Sequence, residues 1–172
     1  MTRLVLLGPT FLPAKTHLKK QIYHNKEAHM PSLEQRIQTL EDRQALQDLV
    51  SSYLIALDDA ADLEQLLSYF TEDAVLDMTA LDYPAFEGMD ALRELFTGAF
   101  ASMSHSAHYA TNFKIDSLVQ DTASARTHAM GLGVPVEGGS VLFYAQYHLK
   151  FKRINNSWKI QSLRGQPLMP IT

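Results

Sequence analysis

The chain has 172 residues, 46% of them hydrophobic and 20% charged, a balance that fits one globular domain and excludes a disordered polymer. A formal net charge of -4 removes any general electrostatic pull toward nucleic acid or an anionic membrane surface. The absence of cysteine excludes disulfides, thiolate nucleophiles and cysteine–zinc sites, and no apolar run approaches the roughly 20 residues of a membrane helix.

The first thirty residues differ from the rest. Leu4-Val5-Leu6-Leu7 is apolar, but Gly8-Pro9 and Pro13 interrupt it before it reaches the length of a signal-peptide core. Lys15, Lys19, Lys20 and Lys26 follow, with Glu27 beside them. Residues 1–31 are therefore expected to be an N-terminal extension to a domain over 32–172. Two readings stay open: a loosely ordered leader or upstream start ahead of Met30, and an arm that docks on a partner subunit.

Ser32-Leu33-Glu34-Gln35 is a capping box, in which the Ser hydroxyl and Gln amide satisfy backbone N–H groups of a first helical turn. Behind it Leu33, Ile37, Leu40, Leu46, Leu49, Val50, Tyr53, Leu54 and Leu57 recur at threes and fours, predicting an amphipathic helix to about Asp58. Asp62 with Gln65 repeats the signature and opens a short helix through Leu63, Leu66, Leu67 and Tyr69-Phe70. Ala74-Val75-Leu76-Asp77-Met78 reads as a strand, Tyr83-Pro84 as a turn, and Gly88-Met89-Asp90 precedes a third helix carrying Leu92, Leu95, Phe96 and Phe100. From residue 104 the pattern changes to long β-type segments at 104–119, 122–136, 139–154 and 157–167. Gln120-Asp121, Glu137-Gly138-Gly139 and Asn155-Asn156 separate them as hairpin turns, so the neighbours should run antiparallel. Helices first and a meander last predicts an α+β fold, with the helices covering one face of a curved sheet.

This order, with Gln47-Asp48-Leu49 through Asp58, Phe70-Thr71-Glu72-Asp73-Ala74-Val75, Glu87-Gly88-Met89-Asp90-Ala91-Leu92, His108-Tyr109-Ala110-Thr111-Asn112 and Trp158-Lys159-Ile160, resembles the superfamily of SnoaL-like polyketide cyclases. Scytalone dehydratase, ketosteroid isomerase and nuclear transport factor 2 share that superfamily. The resemblance covers residues 33–168 and implies a cone-shaped, mostly antiparallel sheet, the cystatin-like α+β barrel. It implies little about the reaction, because this fold carries many functions. Asp48 to Asp58 together with His108 to Asn112 also looks like hexachlorocyclohexane dehydrochlorinase, bile-acid 7-alpha-dehydratase and other SnoaL-like lyases. By that likeness Asp58 and His108 would form a catalytic dyad, and Tyr53 stands where the dehydratase also has tyrosine. The dehydratase's further aspartate falls near Gly131, so that acid is missing. The base of ketosteroid isomerase falls at Met78, and Asp77 beside it should point to the opposite face.

An imidazole titrates near neutral pH, so His108 can take a proton from carbon and return it to a leaving oxygen. Asp58, at the end of the first helix, would face the partial negative charge of the helix C-terminus and gain from a histidinium partner. Tyr53 could donate its phenol proton to an oxygen, although five residues place it about 140° around the helix from Asp58. Asn112, His128, Tyr144 and Tyr147 are candidate substrate-binding residues lining the cavity, His148 could line it or face water, and His105 should point away from His108 unless a bulge intervenes. The histidine spacing has no metal-ligand signature, and no metal or cofactor is expected.

Two functions compete: a cofactor-free dehydratase-like carbon–oxygen lyase or isomerase acting on a small hydrophobic cyclic substrate, and a non-catalytic binding or assembly domain such as the small subunit of a ring-hydroxylating dioxygenase. A buried His108–Asp58 contact opening into a closed cavity would favour the enzyme, whereas an apolar side chain filling the cone would favour the binding domain. A homo-oligomer, dimer or trimer, in the cytoplasm is expected, with no nucleic-acid or membrane partner.

Overall fold

A computed structural model describes residues 30–169, so the expectations for the N-terminal extension lie outside the described residues except for Met30 and Pro31. Helix α1 (Leu33–Asp59) begins at the predicted capping box: Gln35 N–H donates to Ser32 Oγ (3.2 Å), and Ser32 N–H to Gln35 Oε1 (2.8 Å). It ends one residue past Asp58, where Ala60 takes a left-handed conformation (φ 48°). The predicted stripe divides. Leu46, Val50, Tyr53 and Leu54 are buried, while Leu33, Ile37 and Leu40 in the first turns are exposed.

Helix α2 (Leu63–Ser68) is capped by Asp62, which accepts from Gln65 N–H (3.0 Å). The expected extension through Tyr69-Phe70 fails, because Phe70 already starts strand β1 (Phe70–Asp77). A 3-10 turn (Thr79–Leu81), a short strand β2 (Ala85–Glu87) and helix α3 (Gly88–Ser102) follow. The meander comprises β3 (Met103–Val119), β4 (Thr122–Pro135), β5 (Val141–Ile154) and β6 (Ser157–Pro167). Its last turn has positive φ at both Asn155 (49°) and Asn156 (64°), the geometry that matches strand twist in a two-residue hairpin.

One six-stranded sheet results, in the order β2-β1-β6-β5-β4-β3. Every pairing is antiparallel except β1 with β6, and the two edge strands do not join, so the sheet stays open. Burial alternates strictly on β4 and β5: Ala123, Ala125, Thr127, Ala129, Gly131 and Gly133 face inward, as do Ala145, Tyr147, Leu149 and Phe151. The period of two makes this the inner face. Inner positions on β4 are small, which leaves room for neighbouring side chains to lie across that strand. Tyr53 of α1, Phe70 of β1 and Phe96 of α3 form an aromatic trio, with ring centroids 5.3–6.5 Å apart, that ties the helices to the sheet.

A second tie fixes the direction of α1. Asp42 accepts from Arg153 Nη2 (2.6 Å) at the end of β5 and from Trp158 Nε1 (3.1 Å) at the start of β6. The Arg153 guanidinium also lies 4.4 Å from the Trp158 ring centroid. Burial pushes the Asp42 carboxyl up, but hydrogen bonds from Arg153, Trp158 and Gln38 outweigh that and hold it below its ordinary value. With α1 held at Asp42 and at Tyr53, its C-terminal turn meets the edge strand β3.

Candidate active site

An edge strand leaves alternate backbone N–H groups without a sheet partner. On β3 the N–H of His108 is answered by the end of α1: it donates to Asp58 Oδ2 at 2.7 Å. The other carboxylate oxygen, Oδ1, lies 2.6 Å from His108 Nδ1. A carboxylate only accepts, so Nδ1 carries a proton, and in the neutral ring the lone pair sits on Nε2. Both side chains are largely enclosed, His108 at 13% and Asp58 at 22% exposure, whereas the adjacent Asp59 is exposed. No basic residue stands in the last turn of α1, so a protonated His108 would be the positive partner of that helix end.

His108 is paired in register with Gly131 of β4, and Gly131 with Phe143 of β5, so the three share the inner face. The Phe143 ring leans into the space that a side chain at Gly131 would take: a Cβ there would stand 2.1 Å from its Cε1 and 2.3 Å from its Cζ. Its centroid is 5.9 Å from that of His108, the planes tilted by 55°. Two residues further along β4, the Met103 methyl occupies the notch of Gly133. Apolar groups thus pack beside the imidazole, Phe143 foremost among them.

Tyr53 is 3% exposed and Tyr147 5%, Tyr147 lying two inner-face positions along β5 from Phe143. Burial, reinforced by the proximity of Tyr147 and the charge of Asp58, pushes the Tyr53 phenol far above its ordinary value, and burial does the same to Tyr147. Both are neutral donors, and neither hydroxyl is hydrogen-bonded to a described residue. The helix runs unbroken through Asp58, and Tyr53 makes no hydrogen bond to the pair, although the Asp58 carboxylate is near enough for its charge to act on the phenol.

Three expected lining residues require correction. Asn112, His128 and Tyr144 lie on the outer face of the sheet, away from His108. His128 pairs with Gln146 and Tyr144 with Met130, all at positions alternate to the buried ones. Asn112 occupies a bulge of β3 with φ 58° and faces His128 Nδ1 at 3.1 Å; Gln146 faces the other ring nitrogen at 3.3 Å. His148 is on that outer face too, 3.2 Å from Gln166, and His105 is exposed beside Ser104. Asp77 points to Arg164 (3.6 Å), while Met78 lies over Gly165. Among the described residues no group of three or more metal-ligating side chains occurs. Two surface hollows, of about 380 and 190 Å³, lie elsewhere, one around Asp42 and Trp158 and one between α1 and α2.

Helices packed on one face of an open, mixed sheet, with an acid and a histidine joined at its edge, define an α+β domain of the cystatin-like kind. The family model of the SnoaL-like domain matches residues 38–164, and the chain belongs to that family. A comparison with curated proteins gives no match. Among solved structures, a protein of Novosphingobium aromaticivorans described as a candidate aromatic ring hydroxylase is 39% identical, with a TM-score of 0.75 over 77% of this chain and 93% of that one. A hexachlorocyclohexane dehydrochlorinase (LinA, type 3) from Novosphingobium barchaimii LL02 is 25% identical, with a TM-score of 0.68 over 78% and 91%. A candidate scytalone dehydratase from Novosphingobium aromaticivorans shares the fold at 21% identity and a TM-score of 0.71, over 78% and 89%. No described helix is long and apolar enough to cross a membrane.

Proposed function

We propose that the chain is a cofactor-free lyase of the dehydratase type, or an isomerase, acting on a small, largely apolar cyclic substrate. The observation that carries this reading is the pair of hydrogen bonds that His108 donates to Asp58 through its backbone N–H and Nδ1, which in the neutral ring leaves Nε2 free to accept a proton on the inner face. In the elimination, Nε2 removes a proton from carbon, the C–H electron pair becomes the new double bond, and the neighbouring C–O bond breaks. The departing oxygen takes the proton from the imidazolium and leaves as water. Asp58 holds the ring and stabilises its transient positive charge. Tyr53 donates a hydrogen bond to the substrate oxygen, and Tyr147 lines the same face. General acid–base assistance of this kind is worth roughly 10²–10⁴-fold. Likeness to a dehydrochlorinase, whose name denotes loss of hydrogen and chloride, supports an elimination.

Native mass spectrometry of the purified protein identifies a retained ligand, whose hydrate or isomer then serves as substrate. Turnover should fall at least 100-fold in His108→Ala; an unchanged rate would remove His108 from the chemistry.

A second reading has its own observation. The structure 39% identical to this chain is described as a candidate aromatic ring hydroxylase, and the apolar Phe143 ring packs over Gly131 beside the imidazole. Both suit a non-catalytic binding or assembly domain of an oxygenase. Stable complex formation with a large oxygenase subunit, and no His108-dependent turnover, would favour it.

A further inference from the structure

We infer that Phe143 is the specificity-determining wall of the His108 site and that it selects flat, unsaturated rings over puckered, saturated ones. The inference rests on the proposed placement of a substrate at His108, but it concerns binding rather than the reaction. Gly131 is what sets the ring's position: with no Cβ at that point, Cε1 and Cζ of Phe143 sink into the notch of β4. Any larger residue at 131 would lift the ring from the strand. Seated this way, Phe143 is half-buried against the core, with its ring 5.9 Å from the imidazole centroid.

The spacing decides what can share that space. Carbon atoms in contact sit about 3.5–4.0 Å apart, so a third ring sandwiched between two others needs about 7 Å between them. The 5.9 Å separation of Phe143 and His108 is too small for a sandwich. A ligand must instead lie across the wedge that the 55° tilt opens, packing on Phe143 while presenting its edge to Nε2. A flat ring makes that contact over a whole face, whereas a puckered ring touches through a few axial hydrogens. Aromatic pairing beyond simple area burial corresponds to about two- to tenfold in affinity.

The test uses two probes with one carbon skeleton, 2-naphthol and decahydro-2-naphthol, titrated calorimetrically into the full chain. The wild type should bind 2-naphthol about three- to tenfold more tightly. Phe143→Tyr, which keeps the aromatic face, should retain the preference, and Phe143→Leu, which keeps apolar bulk without the face, should bring the ratio close to one. Failure to bind 2-naphthol, equal binding of both probes by the wild type, or a full preference surviving in Phe143→Leu would each overturn the inference. The lyase reading is judged separately: without His108-dependent turnover it falls while the preference stands, and with turnover but no preference the reverse holds.

Discussion

Asp58 and His108 stand fifty residues apart in the chain, and the carboxylate of the first receives both the backbone N–H and the Nδ1–H of the second. The pair is as much a fastener as a site: it closes an open position on the edge strand with the last turn of α1. Asp58→Asn keeps the size but offers one acceptor oxygen for two donors. Activity should fall by roughly 10²–10⁴-fold. Thermal unfolding of the same variant should show a loss of about 1–3 kcal/mol, the cost of leaving a buried donor without a partner.

Tyr53 separates chemistry from stability. Its hydroxyl makes no hydrogen bond to a described residue, so Tyr53→Phe should unfold within about 0.5 kcal/mol of the wild type while turnover drops tenfold or more. Since burial raises the phenol above its ordinary 10, it stays protonated through the working range. The pH–rate profile should therefore show no basic limb from this group below pH 10, and Tyr53→Phe should leave the shape of that profile unchanged.

The Asp42–Arg153–Trp158 tie governs stability rather than chemistry. Asp42→Ala should cost roughly 2–3 kcal/mol in denaturant titration, less than the 3–5 kcal/mol of a wholly buried pair because Arg153 keeps a second acid, Asp121 (3.2 Å). The folded carboxyl titrates below its ordinary 3.8, so its contribution is complete above that value and fades as pH falls through the lower folded value. The stability gap between wild type and variant should accordingly be widest near neutrality and shrink below pH 4.

Gly131 and Phe143 should behave as one unit. Gly131→Ala alone overpacks the notch and should destabilise by about 1–3 kcal/mol. In the double variant with Phe143→Ala much of that loss should return, a coupling of 1 kcal/mol or more in a double-mutant cycle. Gly131→Asp, with a longer side chain still, should likewise fold well only with Phe143 shortened.

Local chemistry reveals most of the fold. The Ser32 and Asp62 caps, the Asn155-Asn156 turn and the change of period after residue 103 place α1, α2 and the four long strands within about two residues. The parallel pairing of β1 with β6 has no such signal, because no short connection links them. Side-chain facing is where the sequence reading of the site goes wrong. Tyr144 and Tyr147 are three residues apart on an unbroken strand, so a period of two allows only one of them inside. On β4 the small residues Ala123, Ala125 and Ala129 at alternate positions mark the inner face and already exclude His128. The seating of Phe143 over Gly131 depends on a rotamer across two strands and leaves no trace in either residue's neighbours. Contact between Asp58 and His108 is likewise not written in their spacing; resemblance suggested it, and the anchoring of α1 at Asp42 and Tyr53 explains it.

The most direct measurement is the protonation state of one ring. Long-range ¹H–¹⁵N correlation of the His108 imidazole, assigned by its loss in His108→Gln, should show at neutral pH a protonated Nδ1 and an unprotonated Nε2. That pattern should weaken in Asp58→Asn. A proton found on Nε2 with Nδ1 bare, or a ring indifferent to Asp58, would mean that the imidazole is not poised to take a proton on the inner face.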